Sequence, residues 1–229
     1  ENLDIDFELT YALETEKLDL TTLRLLGAHV TAEGAGALNI ADLSAEADVA
    51  LTLDDLSRAL PMAGKLVADL SLTSPDISQT MSGTLKARTE QFDMQDASLQ
   101  PLVGSAPTLD VKIDMADEKL TFTDILLAVA SGEVTGQAAL PMSFETIEAD
   151  LTAKTPALAP LSDIATIPIK GNAVLQATLS GALADPDIDG RLDVANLDVD
   201  GMALGALDAE VKVQALATSP DGKISLRLR

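Results

Sequence analysis

The sequence predicts an all-β fold, a long antiparallel sheet built from repeats with one or two short helical inserts. Three observations predict it: apolar and polar side chains alternate with a period of two, turn residues separate the alternating runs, and a glycine-centred pattern occurs twice. The first run is the cleanest. Leu3, Ile5, Phe7, Leu9 and Tyr11 alternate with Asp4, Asp6, Glu8 and Thr10, as in a strand with one wet and one apolar face. Ala47, Val49, Leu51 and Leu53 alternate with Glu46, Asp48 and Thr52, and Leu109, Val111, Ile113 and Met115 with Asp110, Lys112 and Asp114. Near the end, Leu192 and Val194 flank Asp193, and Leu207, Ala209, Val211 and Val213 alternate with Asp208, Glu210, Lys212 and Gln214. Ile224, Leu226 and Leu228 alternate with Ser225, Arg227 and Arg229.

Turn signals fall at Gly34 with Gly36, Ser74-Pro75-Asp76, residues 104–107, Asp117-Glu118, Asp185-Pro186-Asp187 and residues 219–222. Short strands joined by such turns imply a meander. Helical spacing stands out over residues 54–60, where Asp54 would cap a short helix that Pro61 ends, with Leu56 and Leu60 one turn apart.

Residues 64–72 line up with 171–179, and at the same offset Ser82-Gly83-Thr84-Leu85 meets Asp189-Gly190-Arg191-Leu192. A Leu/Ala/Pro stretch precedes each copy, at 56–62 and 158–161. This predicts internal repeats at about 45–145 and 151–229 within one continuous segment, 1–229, in which each unit extends its neighbour's sheet. Starting at Glu1 without Met and stopping at Arg229 in mid-pattern, the chain reads as an internal section of a longer protein.

Composition narrows the function. The formal net charge of -22 repels phosphate backbones, so nucleic acid is not the expected partner. Without cysteine there is neither a disulfide frame nor a thiolate site. His29 is the single histidine and reads as an ordinary strand residue, which leaves no His-based triad or multi-His metal site. The Asp4/Asp6 and Asp198/Asp200 pairs lack the glycine-punctuated loop of a calcium site, and Gly34-Ala35-Gly36 lacks a third glycine and a following helix. No enzyme, metal or cofactor is expected. No stretch reaches the roughly 20 apolar residues that span a bilayer as a helix.

With one Tyr, four Phe and no Trp, the interior must be aliphatic, and little helix is available to cover a sheet. A sheet that continues without a covering layer is expected to curl over itself and leave a trough. Its lining would be Leu3, Ile5, Phe7, Leu9, Val49, Leu51, Leu53, Leu70, Leu72, Leu109, Val111, Ile113, Leu120, Phe122, Leu192, Val194, Val211, Val213, Ile224 and Leu226.

Residues 179–192, from Leu179-Ser180-Gly181 through Asp185-Pro186-Asp187-Ile188 to Gly190 and Leu192, resemble the recurring LSGxLxxPxIxGxL pattern of TamB proteins, members of the AsmA-like group. Residues 56–72 and 120–140 are similar to further passages of that family, and the similar stretches cover most of 45–215. The resemblance implies a β-taco, a long sheet folded into a groove, set in the periplasm and anchored in the inner membrane by a segment outside this chain. It further implies passage of phospholipid acyl chains between the two membranes, and partnership with a TamA-like outer-membrane barrel through other parts of the protein. Two rival expectations are a chaperone-like scaffold that receives client β-strands during outer-membrane protein assembly, and a passive stalk with a closed, dry core.

Overall fold

The computed structural model describes residues 4–58, 62–94, 96–214 and 221–228. Leu3 of the expected lining lies outside them, as do Leu60 and Pro61, the first two residues of the 219–222 turn signal and Arg229. The chain divides into two units, Glu1–Gln95 with Ser105–Glu118, and Asp96–Gly104 with Lys119–Arg229.

The first unit is a seven-stranded antiparallel meander: β1 (Asp4–Ala12), β2 (Lys17–Leu26), β3 (Val30–Asn39), β4 (Ala45–Leu53), β5 (Met62–Asp76), β6 (Thr80–Met94) and β7 (Thr108–Ala116). The second repeats the plan with β8 (Lys119–Val129), β9 (Gly132–Pro141), β10 (Thr146–Thr155), β11 (Ile169–Ala182), β12 (Asp185–Val199), β13 (Met202–Gln214) and β14 (Asp221–Leu228). Within each unit, strands adjacent in sequence are adjacent in the sheet, so every crossing is a hairpin.

Register turns the alternation of each strand into continuous rows. Phe7, Leu23, Gly34, Val49, Leu70, Leu85 and Val111 stand directly opposite one another from β1 to β7. The next row is Ile5, Leu25, Ala32, Leu51, Ala68, Ala87 and Leu109. One residue off these rows, the sequence turns polar: Asp6, Arg24, Glu33, Ala50, Asp69, Lys86 and Asp110 share the opposite face. In the second unit the apolar row Leu127, Val134, Ala153, Leu175, Leu192, Ala209 and Leu226 runs from β8 to β14. Directly opposed side chains share a face, so each row is a stripe of contacts rather than a coincidence of composition.

Local irregularities keep those rows in phase, an extra residue in β2 between Leu20 and Leu23 among them. Gly64 (φ 120°) and Gly171 (φ 133°) sit at bulges near the starts of β5 and β11, facing Gln91 (φ 52°) and Asn196 (φ 54°) on the following strands. A Cβ at Gly64 would lie 2.9 Å from the Gln91 carbonyl oxygen, and one at Gly171 2.8 Å from that of Ala195. The two glycines that align in sequence therefore do the same conformational work. In β8, Asp124 (φ 50°) marks the extra residue between Phe122 and Ile125, which returns Ile125 and Leu127 to the apolar side.

Several expectations need correction. Gly34 and Gly36 are not turn residues; they lie mid-strand in β3, where a Cβ would come within 2.9 Å of the Asp48 oxygen and 2.7 Å of the Glu46 oxygen. Glycine is needed there for close approach of β4. Ser74-Pro75-Asp76 is the end of β5, with the missing Pro75 N–H accommodated at a register shift, and the turn follows at 77–79. Asp185-Pro186-Asp187 likewise opens β12 after a turn at Leu183-Ala184, and Asp221 and Gly222 belong to β14. His29 occupies a bend before β3 rather than a strand, its carbonyl accepting the Asp54 N–H at 2.9 Å.

The helix expected over 54–60 is one 3₁₀ turn, Leu56–Arg58, and the acid that serves it is Asp55, not Asp54. Asp55 Oδ1 accepts both the Ser57 N–H (3.0 Å) and hydroxyl (2.6 Å). The second insert, expected with the Leu/Ala/Pro stretch at 158–161, is a 3₁₀ turn at Ala159–Leu161 followed by α2 (Ser162–Ala165); α1 (Gln100–Val103), with Pro101 in its first turn, was not foreseen.

The Asp55 arrangement recurs. Asp42 with Ser44, Asp76 with Ser78 and Asp96 with Ser98 form the same pair of bonds in Asp-x-Ser segments, closing loops by side chain where backbone bonds run out. The serine hydroxyl, then its N–H, holds each of the Asp42, Asp76 and Asp96 carboxyls below the ordinary value of 3.8. Because the folded value is depressed, the contribution is present above the unfolded value and lost as pH falls through the folded one. An NMR titration following the Ser78 amide should therefore show its midpoint below 3.8. At the bulges, Gly64→Val and Gly171→Val should each destabilise their unit by about 1–3 kcal/mol in urea unfolding. Gly201→Asn, in the open Asp200-Gly201 turn with both residues at positive φ, should barely move the midpoint.

Candidate functional site

The apolar face carries the expected lining residues that the structure describes. Ile5, Phe7 and Leu9 head the three central rows of the first unit, and Val49, Leu51, Leu70, Leu72, Leu109, Val111 and Ile113 continue them. Leu53 pairs with Leu66 at the margin. In the second unit Phe122, Leu192, Val194, Val211, Val213, Ile224 and Leu226 lie on the corresponding rows, and Leu120 faces Leu140. The sequence reading omitted Leu23, Leu25, Leu85, Ile125, Leu127 and Leu175. Irregularities at Leu20/Leu23 and at Asp124 break the alternation through which β2 and β8 would have been read.

Burial along this face is uneven. Ala68 on β5 and Val111 on β7 are buried, whereas the side chains of β1 and β14 are open to solvent. Much of the intervening face is half-buried by lateral neighbours in the same sheet, as a single layer requires.

Deeper burial occurs where the helical inserts cross the face. Leu56, just before β5, is 2 % exposed, with Phe92 buried on β6. In the second unit Leu158, Ala173, Val194 and Leu197 form a buried cluster, flanked by Leu161, Ile169, Leu192, Val199, Leu204 and Leu207. Leu158 is placed by its N–H, which donates to the Gly171 oxygen at 2.8 Å across the bulge. The Ser162 hydroxyl accepts the Ile169 N–H at 2.8 Å and closes the insert.

Beside this cluster lies an apolar cavity of about 530 Å³. Its floor is Val134, Ala153, Leu175, Leu192 and Val194, from four consecutive strands; its hood is Leu102 of α1 with Leu158 and Leu161. The hood is tied down by backbone bonds from Ala130 N–H to the Val103 oxygen and from Ser131 N–H to the Leu102 oxygen, both 3.0 Å. Gly104 (φ 78°) follows, and a Cβ there would meet the Ala130 side chain at 2.6 Å. Polar groups stay at the rim: Lys154 Nζ lies 3.6 Å from Glu133, and the Thr155 hydroxyl donates to the Ser131 oxygen at 2.7 Å. Hollows of similar volume exist on the wet face, about 440 Å³ beside Asp48, Asp69 and Lys86 and about 510 Å³ beside Asp150, Asp189 and Arg191. Volume does not distinguish these sites; lining does.

The wet face is a ladder of hydrogen bonds and ion pairs. Asp150 accepts from Gln137 (3.4 Å) on one side and Thr178 (3.0 Å) on the other, and Lys212 reaches Asp189 at 2.6 Å. That hydrogen bond raises the Lys212 ammonium above its ordinary value, as the Asp193 carboxylate does for Arg191. Among the described residues, no group of three or more His, Cys, Asp or Glu is placed to hold a metal ion. Asp198 serves its own turn, accepting the Gly201 N–H at 3.0 Å. No helix among them is long and apolar enough to cross a membrane. No family model, curated protein or solved structure matches the chain.

What the arrangement offers is a mainly aliphatic surface, with Ser131, Glu133, Lys154 and Thr155 among the residues at the cavity, and such a surface suits aliphatic matter. Leu158→Ala, which empties the hood, should lower the second unit's stability by about 2–4 kcal/mol in urea unfolding, whereas Leu228→Ala on the open last strand should change it little.

Proposed function

We propose that the chain is a section of a TamB-like periplasmic bridge whose apolar face carries phospholipid acyl chains between the inner and outer membranes. It is not an enzyme. The observation that supports this best is the set of mainly aliphatic rows, each crossing seven strands, with no second layer of sheet among the described residues of the unit. In this reading the sheet curls around those rows into a groove, and the acidic face keeps the groove's outside soluble. Nucleic acid is not a partner, and contact with a TamA-like barrel belongs to other parts of the full protein.

The energetics favour such a path. Exposing roughly fifteen methylenes to water costs about 12 kcal/mol at about 0.8 kcal/mol each, and an aliphatic surface removes most of that. Rows of interchangeable Leu, Val and Ala create no deep minimum, so a chain can move along them with small changes in free energy. The second reading, a scaffold that receives client strands, draws on the exposed apolar side chains of β1 and β14, Phe7 and Leu226 among them.

A photoreactive phenylalanine analogue separates the two. Placed at Leu70 or Leu175 it should form adducts with phospholipid from vesicles, and placed at Lys86 or Arg191 on the wet face it should not. Val111→Arg in a folded chain should abolish the Leu70 adduct. Equal labelling of both faces, or none, overturns the lipid path; adducts to protein concentrated at Phe7 and Leu226 would favour the scaffold.

A further inference from the structure

Hairpin turns favour Gly, Asn, Asp and Ser, yet two turns in each unit hold bulky apolar side chains in water. In the first unit these are Ile40 and Leu43 between β3 and β4 and Ile77 between β5 and β6, 40–46 % exposed. In the second they are Met142 and Phe144 between β9 and β10 and Leu183 between β11 and β12, 39–53 % exposed. Strand direction alternates along each unit, so the two turns of a pair lie at the same margin of its sheet. Each pair is also joined. The Ile77 N–H donates to the Leu43 oxygen at 3.0 Å, and the Leu183 N–H to the Glu145 oxygen at 2.9 Å. These turns cap the ends of interior strands, so further strands beside β1 or β14 would not reach them.

Neither turn chemistry nor the core accounts for these side chains. Leu43 (φ 59°) and Phe144 (φ 55°) take the left-handed backbone that glycine or asparagine adopts readily and a bulky residue only at a cost. The two positions are counterparts, Leu43 leading into the strand that pairs with β5 and Phe144 into the strand that pairs with β11. The charges around them have one sign. Residues 40–44, 76–79, 142–145 and 183–185 hold Asp42, Asp76, Glu145 and Asp185 and contain neither Lys nor Arg. Serine hydroxyls and N–H groups already favour the ionised form of Asp42 and Asp76.

We propose that each pair of turns docks a basic amphipathic helix of a partner protein. The shared sign of charge selects the occupant: the same margin of a second copy, or an anionic membrane, would be repelled, whereas Lys and Arg would be drawn in. Turns present side chains rather than a row of open backbone groups. A helix, whose backbone bonds are internal, suits such a surface and an added strand does not. The spacing agrees as well. The two turns of a pair stand two strands apart, about 9–10 Å, and seven residues of helix rise about 10.5 Å. Apolar residues one heptad apart would therefore meet Leu43 and Ile77 in the first unit, or Phe144 and Leu183 in the second, with flanking Lys or Arg beside the acids. This surface is separate from the aliphatic rows and does not rest on their carrying lipid.

The test is calorimetric titration of the whole chain with a synthetic peptide of about three heptads, leucine at two positions of each heptad and lysine beside them. Two peptides should bind per chain, one to each unit, and a peptide of the same composition in scrambled order should bind about tenfold more weakly or worse. Leu43→Asn with Ile77→Ser, and separately Phe144→Asn with Leu183→Ser, should each remove one binding event, and all four substitutions together should remove both. Asparagine suits the left-handed backbone, so these variants should keep or raise the urea midpoint, which separates lost docking from lost folding. Asp48→Ser with Asp69→Ser, on the wet face, should leave binding as it is. A wild type that binds no peptide, binding that survives in the fourfold variant, or equal binding of the scrambled peptide overturns the proposal. So does association of the wild type with phosphatidylglycerol vesicles that the fourfold variant loses, which would make the turns a membrane contact. Lipid adducts at Leu70 and Leu175 report on the apolar face independently of all these outcomes.

Discussion

The structure depends on phase: each strand must place its aliphatic residues on the same side as those of the strand before it, through seven strands in succession. A slip of one residue would carry Asp6, Asp69 or Lys86 to the apolar side and Leu70 or Leu85 to water. In a fold with two packed layers, the second layer would punish such a slip. Here, where the rows lie in a single layer, lateral matching has to do it. Ala68, for example, is buried where it stands between Leu51 and Ala87 in an aligned row.

That requirement explains where the unusual backbone falls. Gly64, Gly171 and Asp124 sit at bulges that absorb one residue and restore the alternation, and Gln91 and Asn196 take positive φ opposite the first two. The bulges also lie beside the inserts that supply Leu56 and Leu158, so one distortion both resets the register and opens room for a leucine to come down on the face. The Asp-x-Ser closures at 42, 55, 76 and 96 serve the same end at loops and turns, fixing them before the neighbouring strand resumes.

Strand character was legible wherever alternation was unbroken. The apolar residues of β4, β7 and β13 can be read directly because a period of two admits one interpretation. The face of β2 and the later half of β8 could not, because one extra residue reverses the parity of everything after it. Glycine and proline misled in a consistent way: Gly34 and Gly36 mark close approach inside a strand, and Pro75 and Pro186 lie in strands rather than at turn centres. Their composition suits both roles, and only the partner strand decides. The cavity's hood was least legible, since Leu102 and Leu158 reach it through short connections whose course no periodicity reveals. The Asp-x-Ser spacing, by contrast, was present in plain view and could have located four loop and turn closures.

Strand contacts within each unit run overwhelmingly between sequence neighbours, so the fold has no centre whose loss would unmake the rest. This sets a rule for how its length can change. Removing or adding one strand reverses the direction of all that follow and brings a turn where an edge was. Removing or adding a hairpin leaves direction, face and charge pattern unaltered on both sides of the cut. Growth or shortening over evolutionary time is thus quantised in pairs of strands, and the distance spanned by the apolar surface can be adjusted in steps of about 9–10 Å without redesigning any residue that remains.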